Sequence, residues 1–415
     1  MFPTLSRLDD VQGLYAWFEE KRLTQPVWLD ESSGCWHVFR YADVHRTLSD
    51  YTLFSSERRP RFSQRSDANG KTPGQGLRNS LIGMDPPQHR QYRNLVSAAF
   101  TPRAIANLQD RIAVIARELL DQVRANGQMD LVSDFSYPLP TIVIAEMLGV
   151  PASDRPRFKG WADALLSQQL SDAEFFRPRE EQQQNPEMQR LSRTFDDMHE
   201  YFVQILKERS HEQRDDLISA LMTAEVEGKQ LNQEEVISFC ILLLLAGHVT
   251  TTNLLSQSIR CFDEHPEVLA LLRNQPELMP NAIEEVLRYA SPVWRMIRTA
   301  REDVEIAGTV LPKGAEVFCW LASANRDEAQ FPEPERFDIQ RTPNKHVAFG
   351  YGIHFCIGAP LSRLEAAVAL PILLEQLPDL QRDHSQPLEV FEGRTLFGFK
   401  HLPVLFTPSV PVSIG

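Results

Sequence analysis

Cys356 is the side chain with the most distinctive surroundings in this chain of 415 residues. It sits in Phe349-Gly350-Tyr351-Gly352-Ile353-His354-Phe355-Cys356-Ile357-Gly358, where three glycines crowd one thiol. A thiolate is a nucleophile and a soft metal ligand, and glycines let backbone turn closely around it and offer N–H groups to it. The plainer role for a lone cysteine is that of a small buried hydrophobe. Cys35, Cys240, Cys261 and Cys319 complete an odd set with no C-x-x-C pair. Neither a disulfide framework nor a structural zinc site is expected from them, and a reducing cytosol fits better.

Three further groupings carry chemistry. In Asp85-Pro86-Pro87-Gln88-His89-Arg90-Gln91-Tyr92-Arg93, His89 and Arg93 are four apart and share one helix face. Glu285 and Arg288 are three apart and also share a face. Ala246-Gly247-His248-Val249-Thr250-Thr251-Thr252 places hydroxyls inside a strongly apolar run. Taken singly, each would be an ordinary surface cation, an ordinary helix ion pair or a polar turn of a core helix.

Taken together and in this order, they resemble the cytochrome P450 superfamily. The cysteine stretch fills all six defined positions of its haem-binding loop, F-G-x-G-x-H-x-C-x-G, a coincidence on the order of 10⁻⁶ for a chain of ordinary composition. The resemblance spans roughly residues 35–405. It implies haem b with Cys356 as the thiolate ligand of the iron, Phe349 packed beside the sulfur, and Gly358 in the turn around it. Hydrogen bonds to the sulfur would tune its electron donation, which favours O–O cleavage. It also implies His89, Arg93, Arg298 and His354 as partners of the haem propionates. Glu285 and Arg288 would be joined by Arg336 of Pro334-Glu335-Arg336-Phe337 in a structural trio. Ala246, Gly247, Thr250 and Thr251 would form the oxygen-activating turn.

One position departs from the family pattern. The acid that normally precedes the oxygen-activating threonine, and helps to bring protons to the reacting oxygen, is Val249 here. His248 is a candidate substitute relay, although it occupies a variable position of the motif. The leading expectation is a monooxygenase that inserts one atom of O2 into a hydrophobic organic substrate by hydroxylation or epoxidation, in secondary metabolism. Electrons would come from NAD(P)H through a separate ferredoxin or flavodoxin and its reductase. Arg341, Lys345 and Arg363 are candidate contacts for such an acidic carrier. A peroxygenase, or an enzyme of oxidative coupling or desaturation, is the alternative that Val249 motivates. A haem-based sensor or ligand binder without turnover is the third.

Position within the family suggests Leu81, Ile82, Leu243, Val293, Trp294, Arg295, Met296, Leu396 and Phe397 as substrate-pocket residues. Most are apolar, so an apolar substrate is the default. Arg295 and the basic segment 57–78, with six basic against two acidic residues, leave room for an acidic or carrier-protein-bound one.

The elements that must position these residues are mostly helical. Apolar spacing predicts helices over 102–126, 139–148, 154–170 and 191–209, and a long central one over 234–262 that is apolar on every face. Strand patterns cluster at 36–39, 303–306, 315–318 and 394–406. The fold class expected is mainly α with small β-sheets, the long helix over the haem and the cysteine loop beneath it. No repeat or Gly/Ser linker divides the chain, so one domain over 1–415 is expected, with no fused reductase. The longest apolar stretch, around 241–246, is short of the ~18 residues that cross a bilayer. No signal peptide or membrane anchor is therefore expected, and a cytoplasmic monomer is. The net charge of −13 argues against a nucleic-acid partner, because such a surface repels phosphate backbones.

Overall fold

A computed structural model describes residues 8–57, 80–166, 185–391 and 395–409. The basic segment 57–78 lies outside them except for Glu57, as does part of the polar connector before residue 190. Among the described residues helices dominate, and four small sheets accompany them.

The central helix runs over Gln233–Glu264. Its start is fixed by a reciprocal cap: Glu235 N donates to Asn232 Oδ1 at 3.0 Å, and Asn232 N donates to Glu235 Oε2 at 2.8 Å. Such a cap stabilises a helix end by about 1 kcal/mol. The apolar run around 241–246 thus belongs to a 32-residue helix that is long and apolar enough to cross a bilayer. Protein packing covers 67% of its most apolar window, so it is a core helix, and this explains why every face is apolar.

Helices expected over 139–148 and 191–209 are present as Pro138–Met147 and Pro186–His211. The one expected over 102–126 is two helices, Pro102–Ala106 and Gln109–Asp121. Leu108 N turns back to Ile105 O at 3.0 Å, an i−3 bond that tightens the chain and redirects its axis. The main sheet has the spatial order Val27–Asp30, Cys35–Val38, Glu316–Trp320, Arg295–Ala300, Phe54–Ser55. Only the pair Cys35–Val38 with Glu316–Trp320 is parallel. Arg295–Ala300 was not anticipated as a strand. Two arginines obscure its apolar pattern, yet all but Met296 and Ile297 of its residues are buried.

The scaffold beneath the cysteine loop centres on Glu285, which is fully buried with Arg288. Arg288 Nε and Nη2 donate to the two Glu285 oxygens at 2.8 Å each. Arg288 also donates to the carbonyls of Asn325, Pro334 and Arg336. The third cation is Arg341, not Arg336. Arg341 Nε donates to Glu285 Oε1 at 3.2 Å, and Asn344 Nδ2 donates to Oε2 at 3.0 Å. The Arg336 side chain is 62% exposed and meets Glu333. Arg336 contributes its backbone carbonyl, which accepts from both Arg288 and Arg341. A buried charge needs all its lone pairs met, and the side chain able to meet them is the one the chain path carries inward.

Candidate active site

The cysteine loop is shaped by two glycines with positive φ, Gly350 at 72° and Gly352 at 74°. A methyl on Gly352 would stand 2.9 Å from Leu48 O and from Ser49 Cα, so only glycine fits against that backbone. Cys356 N donates to Phe349 O at 3.0 Å, closing the loop. Burial pushes the Cys356 thiol up, opposed by the N–H groups of Gly358 and Ala359 and by the charges of Arg93 and Arg363. The sulfur sits in a cradle of donors that oppose the effect of burial without outweighing it. The helix Ala359–Gln376 begins directly after it and aims its positive end at the loop.

His89, on the helix Gln88–Ala99, and His354 bring their rings within 4.3 Å of each other. Among the described residues, neither Nε2 has a hydrogen-bond partner. Burial, then Arg93 and Arg298, push His89 down to about 4. Burial, then Arg298, His89 and Arg93, push His354 down to about 3. Asp85 acts in the opposite direction, but it is engaged by Ser55, by Ser56 N and by Arg301. Two imidazoles, each with an unpaired Nε2, beside the buried Arg298 suit an incoming carboxylate. Arg93 serves a different end in this structure. Its Nη1 and Nη2 donate to Ile353 O at 2.9 Å and Phe355 O at 2.7 Å, gripping the loop on both sides of His354.

On the other side, the central helix is buried along nearly its whole length but becomes accessible at Leu245, Ala246, Gly247 and Thr250. Accessibility in the middle of a core helix marks a cavity wall. Thr250 Oγ1 donates to Ala246 O at 2.6 Å, which leaves the hydroxyl oxygen free to accept. A methyl on Gly247 would meet the end of the Ile144 side chain at 2.8 Å. Thr251 does not share this wall. Its hydroxyl bonds Ser362 Oγ at 3.2 Å, deep between two helices, because one residue along a helix turns the side chain by about 100°. His248 is turned away as well. It is fully buried edge-on to Tyr137, ring centres 4.1 Å apart, and burial pushes it down to about 3.

Of the pocket candidates, Ile82 is exposed, and Val293, Met296 and Leu396 are partly accessible. Val293 pairs with Leu396 across a β-bridge, which joins two of the segments. Trp294 and Phe397 stack on each other at 4.5 Å and are buried in the core, as Leu81 and Leu243 are. Leu245, which periodicity did not single out, occupies the accessible strip instead of Leu243. Arg295 falls on the strand face opposite Arg298, with its guanidinium 3.9 Å from the Phe318 ring centre. The structure does not bring it to the His89–Arg298–His354 group. On the proximal side, Arg341 belongs to the Glu285 cage. Arg363 is held in a two-point pair by Glu284, leaving Lys345 as the exposed candidate.

The sequence model of the Cytochrome P450 family matches residues 35–277 and 272–405. The chain is a cytochrome P450. It is 38% identical over 411 residues to the erythromycin C-12 hydroxylase of Saccharopolyspora erythraea, covering 97% of this chain and 98% of the relative. It is 38% identical over 401 residues to the cyclomarin C epoxidase CymV of Salinispora arenicola, covering 96% and 97%. Among solved structures, CYP109E1 from Bacillus megaterium in complex with testosterone aligns with a TM-score of 0.82 at 40% identity, covering 94% and 99%. P450BioI in complex with an acyl carrier protein bearing hexadec-9Z-enoic acid aligns with a TM-score of 0.86 at 33% identity, covering 96% and 99%. This P450 is thus a haem-thiolate monooxygenase that uses O2 and reducing equivalents from NAD(P)H. The donor cradle at Cys356 and the unpaired imidazole Nε2 atoms fit the thiolate ligation and the carboxylates that haem brings.

Proposed function

We propose that this P450 hydroxylates or epoxidises a neutral, largely apolar organic molecule of secondary metabolism. Electrons reach it from NAD(P)H through a separate ferredoxin or flavodoxin and its reductase. The observation that carries the substrate class is that the accessible candidates, Leu245, Ala246, Gly247, Val293, Met296 and Leu396, carry no charged side chain. Arg295, the residue that would favour an acid, holds its charge against Phe318. Relatives named for a macrolide hydroxylation and a cyclomarin epoxidation, and one crystallised with a steroid, support the same class.

In this reading Cys356 binds the iron, with Phe349 and Gly358 around the sulfur. His89, Arg298 and His354 hold the propionates, and Arg93 clamps the loop. When bound, haem supplies the activation of O2 and the oxidising power. The chain's own part is to orient and to exclude. Ala246 and Gly247 set how closely a substrate approaches, Thr250 offers a hydroxyl oxygen at that point, and the apolar wall keeps bulk water from the reacting carbon.

Optical titration of the holoprotein with testosterone and with hexadec-9Z-enoic acid checks the substrate class. A spectral shift with the steroid at lower concentration than with the acid is expected. Tighter binding of the acid would overturn the neutral reading and favour a carrier-bound acyl substrate.

A further inference from the structure

Neighbouring glutamates on the helix Met279–Tyr289 hold different parts of the chain around the cysteine loop. Glu285 closes the buried cage with Arg288, Arg341 and Asn344. Glu284 is half-buried and reaches both flanks of the loop. Upstream, His346 Nε2 stands 3.0 Å from Glu284 Oε2. The other ring nitrogen, Nδ1, accepts from Ala348 N at 3.3 Å, so neutral His346 carries its proton on Nε2 and donates it to Glu284. Downstream, Arg363 Nε donates to Glu284 Oε1 at 2.6 Å and Arg363 Nη2 to Oε2 at 2.8 Å. Burial pushes the Glu284 carboxyl up, but Arg363 and His346 outweigh it and bring it down to about 2. Glu284 is therefore an anion at any working pH.

Both partners of Glu284 meet Phe349. The Arg363 guanidinium lies 4.5 Å from the Phe349 ring centre, and the His346 ring centre is 6.3 Å from it. Phe349 is joined in turn to the cysteine, since Cys356 N donates to Phe349 O at 3.0 Å. The charge of Arg363 also acts on the Cys356 sulfur directly, favouring its anion. The Arg363 side chain is 36% exposed, so without Glu284 its head would be drawn off the ring into water.

Reduction by one electron from the carrier makes the loaded site one charge more negative, with no bond formed or broken. A cation held beside the ligand favours that state, and the benefit depends on where the cation sits. We propose that Glu284 is a positioning residue for electron uptake. It clasps Arg363 on the Phe349 ring and His346 at the start of the loop, and so fixes the positive charge whose distance from Cys356 sets the reduction potential of bound haem.

A double-mutant cycle read as reduction potential tests this. The substrate-free holoproteins are titrated with redox mediators and followed in the Soret band. Arg363→Gln should lower the potential, because a cation beside the ligand is lost. In the Glu284→Gln background the same substitution should shift it by about half as much or less, since the released arginine no longer sits at the ring. Equal shifts in the two backgrounds would overturn the proposal, because charges at fixed positions act additively.

Arg363→Lys gives a second reading that does not depend on how well Glu284→Gln folds. Lysine keeps the charge but cannot take both Glu284 oxygens and the ring face at once, so the potential should fall toward that of Arg363→Gln. An unaltered potential would overturn the clasp. The inference rests on Cys356 as the iron ligand. A reduced, carbon-monoxide-bound wild type without the thiolate-type Soret band would overturn that ligation and the clasp together. Additive shifts with the band present would overturn the clasp alone.

Discussion

Arg341 Nε lies 3.2 Å from Glu285 Oε1 in a cage closed to solvent, while Arg336, five residues earlier, is 62% exposed on a surface turn. Breaking a buried ion pair by removing one partner costs about 3–5 kcal/mol, whereas an exposed pair contributes about 0–1 kcal/mol. Arg341→Ala should therefore lower thermal stability severely and reduce the fraction of protein that retains haem. Arg336→Ala should leave both nearly unchanged. Thermal denaturation and the haem-to-protein absorbance ratio of the two variants check this, and equal effects would return Arg336 to the trio.

Cys356 is the cysteine in the cradle, and Cys35, Cys240, Cys261 and Cys319 are buried elsewhere. Cys356→Ser should abolish the thiolate-type Soret band of the reduced, carbon-monoxide-bound protein. Cys319→Ser and Cys35→Ser should retain it. Persistence of the band in the Cys356 variant would reassign the ligand.

Gly352 and Gly350 both have positive φ, but only a methyl on Gly352 would collide with backbone, at Leu48 O and Ser49 Cα. At Gly350 the nearest such neighbour, His354 O, is 3.9 Å away. Gly350→Ala should cost about 1 kcal/mol of conformational strain. Gly352→Ala should cost more, since rigid backbone must also move. Denaturation midpoints of the two holoproteins rank them.

His89 sets a pH dependence. Its folded value is about 4, against an ordinary value near 6.5, because of burial and the charge of Arg93. Below pH ~6.5 the unfolded chain takes up a proton that the folded chain refuses. Stability of the haem-free protein should then fall progressively as pH drops from ~6.5 toward 4. Urea midpoints at pH 7 and pH 5 measure this slope; His354 and His248, both pushed down to about 3 by burial, add to it in the same direction, so His89→Asn should reduce it in part. Equal slopes would show that His89 is not one of the titrating groups.

Much of the site is local and so was legible in the chain itself. Glycines spaced around Cys356 need only their own φ values to form the turn, and the Asn232–Glu235 cap marks the start of the central helix. The split at residue 108 was less visible, since apolar spacing continues through it while the hydrogen bonds do not. The strand carrying Arg298 was hidden by its arginines, whose burial follows from neighbours that short windows do not contain.

The sequence by itself determined the family, the ligand loop and the period of the central helix, because motif spacing, backbone φ and side-chain periodicity are short-range properties. Only the tertiary structure decided which arginine reaches Glu285, that Arg93 holds the loop carbonyls, and that Thr251 turns from the cavity toward Ser362. It also decided that Asn253 and Gln257 are sealed from solvent rather than surface amides. Those outcomes join residues up to 262 positions apart, such as Arg93 and Phe355. They depend on how the helices and sheets pack, which no local pattern encodes.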